Sequence, residues 1–288
     1  MADVTTAQTD WLDWRRRREE SLRAPYGWLS QTGLYWLQAL GGFRAVVPGI
    51  AGEWALRDGK VIFTPQTEAQ PEARDAAQPG TEGGPVPVLV GADGGRTSVT
   101  GPVHVPSDAE ADGAYVESGG IRAAVIERSG QFGIRVRDPE SEFRRDFAGI
   151  PAYPFDPAWR IEGVFEPYGE ARDTVVRTRV DGLTSTLEAV GTVSFEAGGE
   201  TQRLIAFDGG AEDGGRGLFI IFRDPTNGES TYGSGRFLAA TVPAGETRVL
   251  LDFNRAFNPP CAFSPYCTCP LAPAGNQVSV PVTAGERH

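Results

Sequence analysis

The clearest indication of the chain's architecture is Ile121-Arg-Ala-Ala-Val-Ile-Glu-Arg-Ser-Gly-Gln-Phe-Gly-Ile-Arg-Val-Arg137. In its second half, the apolar side chains of Phe132, Ile134 and Val136 alternate with polar ones. A period of two is typical of a strand with one face buried and the other solvated. Ser129-Gly130 separates this run from the one before it, as the turn of a β-hairpin does. The stretch therefore predicts two antiparallel strands.

Similar short runs recur on both sides of this hairpin. They fall at residues 43–47, 53–56 and 60–64 before it, and at 159–168, 174–180, 192–196, 202–207, 217–223, 236–242, 248–253 and 278–282 after it. Between two of them, Ala197-Gly-Gly-Glu200 is expected to be a hairpin turn, because adjacent glycines adopt the positive φ that such turns need. Many short strands at this spacing favour sandwiches or barrels. We therefore predict a mostly β protein of two packed, sandwich-like or barrel-like parts.

One short helix is predicted at the N-terminus. Trp11 and Trp14 belong to a partial apolar stripe, Thr9 or Asp10 can cap the helix, and Pro25 ends it. The run of four arginines at residues 15–18 is interpreted as a solvated helix face rather than a site for an anionic partner.

Proline-rich stretches mark the boundaries between the predicted parts. Residues 138–158 contain four prolines and interrupt the β pattern. We expect the N-terminal helix within residues 1–26, an N-terminal β-rich part at 27–137, a connector at 138–158 and a C-terminal β-rich part at 159–288. Residues 65–87 are rich in Pro, Gly, Gln, Ala and Glu and are predicted to be a mobile insertion.

Composition limits the chemistry available to the chain. A net charge of −11 and a pI near 4.8 argue against nucleic acid as a partner. Lys60 is the only lysine and follows an Asp-Gly turn, so a Schiff-base lysine is not expected. With only His104 and His288, the latter expected to be frayed, one chain cannot build a multi-histidine metal site.

The sequence also carries no sign of a membrane partner. No run of about 18 apolar residues exists, and the N-terminus lacks the basic and apolar segments of a secretory signal. We therefore expect a cytoplasmic protein. No cofactor and no oligomeric state is assigned from the sequence.

A second informative stretch is Gly217-Leu-Phe-Ile-Ile-Phe-Arg-Asp-Pro-Thr-Asn-Gly-Glu-Ser-Thr-Tyr-Gly-Ser-Gly-Arg-Phe-Leu238. It predicts a buried strand, a turn and a returning arm. Arg223, Arg236 and the hydroxyl of Tyr232, together with exposed glycine-rich amides, can hold a carboxylate or phosphate. The competing interpretation is an ion pair of Arg223 with Asp224 or Glu229 beside a glycine bulge.

The third stretch, residues 252–271, contains all three cysteines in the pattern C-x5-C-x-C. This spacing matches no common zinc or iron–sulfur motif, so no metal site is predicted. The favoured interpretation is that the three cysteines are buried and unreactive. A reactive Cys261 is the alternative, if Arg255 or Arg236 lies close enough to lower its pKa.

These stretches resemble the bacterial family catalogued as domain of unknown function 1684. The resemblance rests on residues 27–37, 133–138, 222–238, 252–263 and 269–271, and spans residues 10–286 in the family's order. It implies a family without an established activity and one shared constellation of residues: Arg223, Asp224, Tyr232, Arg236, Asp252, Asn254, Asn258 and Cys261. Cys267 departs from the pattern, which implies a small residue there, so a three-cysteine site is not implied for the family.

The leading hypothesis is a module that binds a small anionic or polar ligand in a cleft of the C-terminal part. Arg223 and Arg236 would supply charge, Tyr232 and Asn254 orientation, and Asp252 an acceptor or base. Asn258 is grouped with the ligand-binding residues.

Two alternatives stay open. One is a hydrolase or transferase with Asp252 or Asp224 as general base and Cys261 or water as nucleophile. The other is a structural or interaction protein in which the C-terminal stretch is a rigid plug. A pocket with a perturbed carboxylate or thiol favours the enzyme, an arginine-lined pocket without one favours the binder, and a fully buried motif favours the plug.

Overall fold

The computed structural model describes residues 2–38, 44–66, 85–212 and 214–288. The chain divides into two units, one formed by Met1–Leu22 with Phe147–His288 and the other by Arg23–Asp146. We call them the terminal unit and the middle unit. Most of the insertion predicted at residues 65–87, and the first residue of the strand predicted at 43–47, lie outside the described residues.

Regular structure begins with helix α1 (Ala2–Arg23) and continues through the middle unit. The strands there are β1 (Gln31–Trp36), β2 (Arg44–Val47), β3 (Ile50–Arg57), β4 (Lys60–Pro65), β5 (Val88–Val90), β6 (Arg96–Ser98), β7 (Val103–His104), β8 (Tyr115–Ser118), β9 (Ile121–Arg128) and β10 (Gln131–Arg137), followed by α2 (Glu142–Arg145). They form two sheets in the orders β1-β10-β9-β8-β5-β6 and β2-β3-β4-β7. Both sheets contribute to one apolar core around Trp54 and Phe63.

The hairpin predicted at residues 121–137 is confirmed in this unit. Strands β9 and β10 pair antiparallel, and Ser129 and Gly130 take φ values of 51° and 71° at the turn. Ile134 and Val136 are buried in the core, as their alternation with polar residues predicts.

The described residues of the terminal unit form six longer strands. They are β11 (Arg160–Arg177), β12 (Thr184–Ala197), β13 (Glu200–Glu212), β14 (Gly215–Phe222), β15 (Arg236–Pro243) and β16 (Arg248–Asp252). All pair antiparallel in the order β15-β14-β13-β12-β11-β16, and the two outer strands approach each other, so the sheet is nearly closed like a barrel. The predicted turn between β12 and β13 is confirmed, with φ of 66° at Gly198 and 78° at Gly199. The predicted mostly β class is therefore correct.

Two details of the predicted strands are wrong. Residues 159–168 and 174–180 were expected as separate strands, but β11 runs from Arg160 to Arg177 because a register shift after Pro167 accommodates the proline. Residues 278–282 form no strand. Val278 and Val282 are fully buried there because this irregular segment fills the core of the nearly closed sheet, which explains their apolar spacing.

Helix α1 is longer than predicted and packs within the terminal unit. Thr9 lies inside the helix, where its hydroxyl donates to the carbonyl of Thr5 at 2.9 Å instead of capping. The indole of Trp11 donates to the Asn254 carbonyl at 2.8 Å, and Arg15 donates to the Ile150 carbonyl at 2.7 Å. None of the described helices combines the length and apolarity of a membrane span.

Candidate functional site

Asp224 and Arg236 form a fully buried ion pair, with 2.9 Å between Arg236 Nη2 and Asp224 Oδ2. The other carboxylate oxygen of Asp224 accepts from the backbone and hydroxyl of Thr226, at 2.9 and 2.6 Å, and from Val282 N at 3.1 Å. Every described contact of this carboxylate is therefore internal to the fold, and Asp224 has no exposed surface from which to act as a base.

The guanidinium of Arg236 is likewise bonded to groups inside the fold. Its guanidinium donates to the carbonyl oxygens of Val282, Ala284 and Glu286. Burial lowers the pKa of Arg236, although attraction by Asp224 opposes this effect. Arg236 has no exposed surface with which to make the predicted contact with a ligand. Its side chain instead links the segment after residue 280 to the start of β15.

Two polar residues of the C-terminal stretch, Asn254 and Asp252, also hold the fold together. Asn254 exchanges hydrogen bonds with the backbone of Asp156, each 2.9 Å long. Asp252 accepts from Asn254 Nδ2 at 3.0 Å on one oxygen, while its other oxygen lies 3.6 and 3.7 Å from Arg160 and Arg255. Both carboxylate oxygens of Asp252 are thus occupied.

Asn258 fastens the end of the chain to the same stretch. Its backbone N–H donates to the Glu286 carboxylate at 2.7 Å and its side-chain amide donates to the Arg287 carbonyl at 2.9 Å. Asn258 itself is buried. Its predicted role in ligand binding therefore has no support from exposure.

Arg223, in contrast, is exposed. Its backbone bonds to Asn276 O and Val278 N, while its guanidinium forms no ion pair or hydrogen bond within the described part of the chain. The neighbouring Gly235 has a φ of +96°, and a Cβ atom there would lie 2.6 Å from the Phe222 carbonyl oxygen. Only glycine fits at this position, and it brings the loop of residues 232–235 close against Arg223.

Tyr232 and Cys261 are joined directly. The half-buried Tyr232 hydroxyl donates to the Cys261 carbonyl oxygen at 3.0 Å, and the Cys261 backbone N–H donates to Cys269 Sγ at 3.3 Å. Burial and the neighbouring Cys261 raise the pKa of Tyr232, and Arg179 and Ser234 oppose the shift. At neutral pH the phenol is therefore a neutral donor.

The thiols are not activated. The contact with Cys269 raises the pKa of the Cys261 thiol far above its usual range, and burial adds to this. For Cys269 the contact with Cys261 lowers the pKa, but Cys267 and burial outweigh it and raise the value to about 12. The reactive alternative for Cys261 required Arg255 or Arg236 close by, but Arg236 is paired with Asp224 and Arg255 lies beside Asp252.

No grouping of three metal-ligating side chains occurs among the residues that the structure describes. The three cysteines are present as free thiols.

An open pocket of about 390 Å³ lies beside Tyr232. Its walls are Arg177, Thr178, Arg179 and Asp181 from the end of β11 and the turn after it, Tyr232, Gly233 and Ser234 from the glycine-rich loop, and Leu271. Of the sequence-predicted site residues, only Tyr232 lines this pocket, with Cys261 directly behind it. The structure does not bring the others to it.

Backbone pairing explains why two arginines face this pocket together. The Arg179 N–H donates to the Cys269 carbonyl at 2.9 Å, and the Leu271 N–H donates to the Arg177 carbonyl at 2.8 Å. Thr178 between them is buried, and its hydroxyl contacts the Val180 and Leu183 carbonyls. Because successive side chains alternate along an extended chain, both arginines project to the exposed side.

The charges around this pocket are only partly neutralised. A hydrogen bond to Tyr232 raises the pKa of Arg179, with smaller contributions from Cys261 and Asp181. The guanidinium of Arg177 has no ion pair or hydrogen bond in the described ranges. The His288 ring packs edge-on against Tyr232 at 5.0 Å, and its backbone N–H donates to Ser230 O at 3.2 Å, so the expected fraying of His288 is not observed.

Sequence reasoning missed Arg177, Arg179 and Asp181. The signal was present in Val176-Arg-Thr-Arg-Val-Asp-Gly182, where charged and uncharged residues alternate up to an Asp-Gly turn. The arginines gain significance only from the pairing with residues 269–271, which lie about 90 residues away in the sequence.

These features define a protein with a nearly closed β-sheet in which most of the sequence-predicted polar residues hold the fold together, while two exposed arginines line one pocket. The family described as "Protein of unknown function (DUF1684)" matches residues 145–287, and the chain belongs to it. The match includes all eight residues of the shared constellation but is shorter than the expected span of residues 10–286.

The chain is similar in part to a solved structure of an uncharacterized protein. This structure was determined by solution NMR for a protein of Haloarcula marismortui, which is 35% identical over 50% of this chain and 79% of that one, with a TM-score of 0.41. No curated protein matches the sequence.

Proposed function

We propose that the protein binds a small anionic ligand in the pocket beside Tyr232. The observation that carries this proposal is the convergence of Arg177 and Arg179 on one side of a cleft. Guanidinium groups bind carboxylates and phosphates through paired N–H donors, and two of them on one wall create a positive local potential. The pocket volume of about 390 Å³ is in the range of small-molecule sites.

The proposal keeps Tyr232 from the sequence-based hypothesis and changes the source of positive charge. Arg236 is buried and paired, so Arg177 and Arg179 take the role that was first given to Arg223 and Arg236. The neighbouring Tyr232 raises the pKa of Arg179, which favours the charged guanidinium beside the phenol. Arg223 is exposed near the glycine-rich loop and stays a predicted contributor.

The alternatives receive different support. An enzyme with Cys261 as nucleophile needs a thiolate, whereas the raised pKa of Cys261 favours the thiol. Asp224 and Asp252, the proposed bases, are occupied by internal partners. The plug hypothesis is supported by the internal hydrogen bonds of Asn254 and Asn258, and it is compatible with a binding site alongside.

Calorimetric or NMR titration with inorganic phosphate and with ethyl phosphate tests the proposal. We expect saturable binding to the wild-type protein and at least tenfold weaker binding to Arg177→Ala and Arg179→Ala. Arg216→Ala is the matched control, since Arg216 is exposed at the far end of β14 and should leave affinity unchanged. Equal affinity in all four proteins, or no binding by the wild type, would refute the site.

A further inference from the structure

A carboxylate shares the pocket with the two arginines. Asp181 lies in the turn that follows Arg179, closed by a hydrogen bond of 3.2 Å from Leu183 N to Val180 O, and Gly182 takes a φ of +79° there. The Asp181 side chain is exposed and forms no ion pair or hydrogen bond within the described residues. The lining therefore presents two positive charges and one negative charge.

From this pattern we propose that the pocket selects a phosphate monoester that carries a nearby ammonium group, that is, an aminoalkyl phosphate. This inference rests on the proposed function and names its ligand class. A doubly charged phosphate with one ammonium group is the charge complement of two arginines and one aspartate. A ligand that is only anionic meets repulsion from Asp181, whereas an ammonium group turns that repulsion into attraction.

The spacing along the chain favours one anionic group over two separate ones. In an extended segment, Arg177 and Arg179 lie about 6.7 Å apart on the same side. Long guanidinium side chains at that separation can both reach a single phosphate, as planar donors commonly do. Asp181 is two residues further on, so the ammonium group belongs on the side of the ligand toward the turn.

The remaining wall suits a short linker between the two charged groups. Among the described residues that line the pocket, Leu271 has the one aliphatic side chain, and its backbone is fixed by the hydrogen bond to Arg177. It offers an apolar surface for a chain of a few CH₂ groups. Tyr232 also lines the pocket, with its hydroxyl already bonded to Cys261 O.

The test compares two phosphates with the same two-carbon chain, O-phosphoethanolamine and ethyl phosphate, which differ by the terminal ammonium group. We expect the wild-type protein to bind O-phosphoethanolamine at least fivefold more tightly. In Asp181→Asn, the preference should fall to about one, with ethyl phosphate bound more tightly than before. Asp181→Ala should behave in the same way, and Asp208→Asn, a change at an exposed carboxylate on β13, should keep the preference.

Two further ligands separate the possible sources of the same chemistry. The diester sn-glycero-3-phosphoethanolamine carries one negative charge, as a lipid headgroup does, and should bind more weakly than the monoester. Glutamate also carries two negative charges and one ammonium group, but its negative charges lie on two separate carboxylates. It should therefore also bind more weakly than the monoester. Equal or tighter binding of either one would refute the monoester assignment.

The outcomes distinguish this inference from the proposed function. If both phosphates bind equally well and Arg177→Ala weakens both, the anion site stands and the ammonium preference is refuted. The same conclusion follows if Asp181→Asn changes both affinities by the same factor. If neither phosphate binds the wild type, both proposals fail.

Discussion

Arg236 and Asp224 are twelve residues apart in sequence and meet in a hydrogen-bonded ion pair with both side chains inaccessible to solvent. The pair connects the turn after β14, the start of β15 and the segment around Val282, because Asp224 also accepts from Val282 N and Arg236 donates to Val282 O. A buried charge of this kind is tolerated only while its partners are in place.

Removing one member of this pair should therefore be costly. We expect Asp224→Ala and Arg236→Ala each to lower the free energy of unfolding by about 3–5 kcal/mol, because each leaves an uncompensated buried charge. Urea denaturation followed by circular dichroism measures the loss. Arg223→Ala, one residue from Asp224 but exposed, is the control and should change stability by less than about 0.5 kcal/mol. A loss below about 1 kcal/mol for both pair variants would contradict the structural role.

Two arginines on helix α1 offer a second matched comparison. Arg18 donates to the buried Glu286 carboxylate at 2.6 Å and to the Asn258 carbonyl at 2.8 Å, whereas Arg16 pairs with the exposed Asp13. Arg18→Ala should cost about 3 kcal/mol, and Arg16→Ala should stay within about 0.5 kcal/mol. Thermal and urea unfolding of the two variants decide this, and equal effects would show that α1 does not depend on the Glu286 contact.

Gly235 and Gly233 make a third pair. A side chain at Gly235 is strained by its φ of +96° and would press against the Phe222 carbonyl oxygen. Gly233 has no positive φ, and the nearest atom to an added Cβ is 3.8 Å away. We expect Gly235→Ala to destabilise the protein by about 2–4 kcal/mol and Gly233→Ala to leave stability nearly unchanged. Similar melting temperatures for the two variants would contradict the geometry of the loop.

The thiols of Cys261 and Cys269 should react only slowly with alkylating reagents in the native state. Because their pKa values are raised, Cys261 and Cys269 remain protonated at pH 8, and iodoacetamide should label them at least a hundredfold more slowly than it labels the unfolded chain. Mass spectrometry after timed labelling gives both rates. Fast native labelling at Cys261 would revive its role as a nucleophile.

The raised pKa values of Cys261 and Cys269 should make the free energy of unfolding depend on pH. An acid whose pKa is raised by folding contributes stability that is complete below its unfolded pKa, near 9 for these thiols, and that is lost as the pH rises through the folded value. The free energy of unfolding should thus fall above pH 9, by up to about 1.4 kcal/mol per pH unit for each such group. The double variant Cys261→Ala/Cys269→Ala should show a shallower decline, and an unchanged slope would assign the effect to other groups.

The sequence predicted those parts of the fold that depend on local pattern. Alternation and glycine turns located the hairpins at Ser129-Gly130 and Gly198-Gly199, because period and positive φ are local properties. The direction of polar side chains was not predictable in this way. Arg236 opens a strand whose first three residues are all buried, so no alternation marks it as internal.

The candidate site, too, was predictable only where it depends on local sequence. Tyr232 was recognised from a glycine-rich loop, but Arg177 and Arg179 acquire their common orientation from pairing with residues 269–271, far away in sequence. The arginine run on α1 shows the limit as well. A solvated face describes Arg16 and Arg17 correctly, whereas Arg15 and Arg18 bind groups that only the folded terminal unit brings near.

The contact between Arg18 and Glu286 spans 268 positions of the chain. At the usual rates of synthesis, about 5–20 residues per second, helix α1 leaves the ribosome on the order of 10–50 s before its partner is made. During that time Trp11 and Arg18 have no Asn254 carbonyl and no Glu286 carboxylate to bind, while residues 23–146 emerge complete. The contacts of Trp11 and Arg18 that hold α1 in the terminal unit can therefore form only after Asn254 and Glu286 have been synthesised.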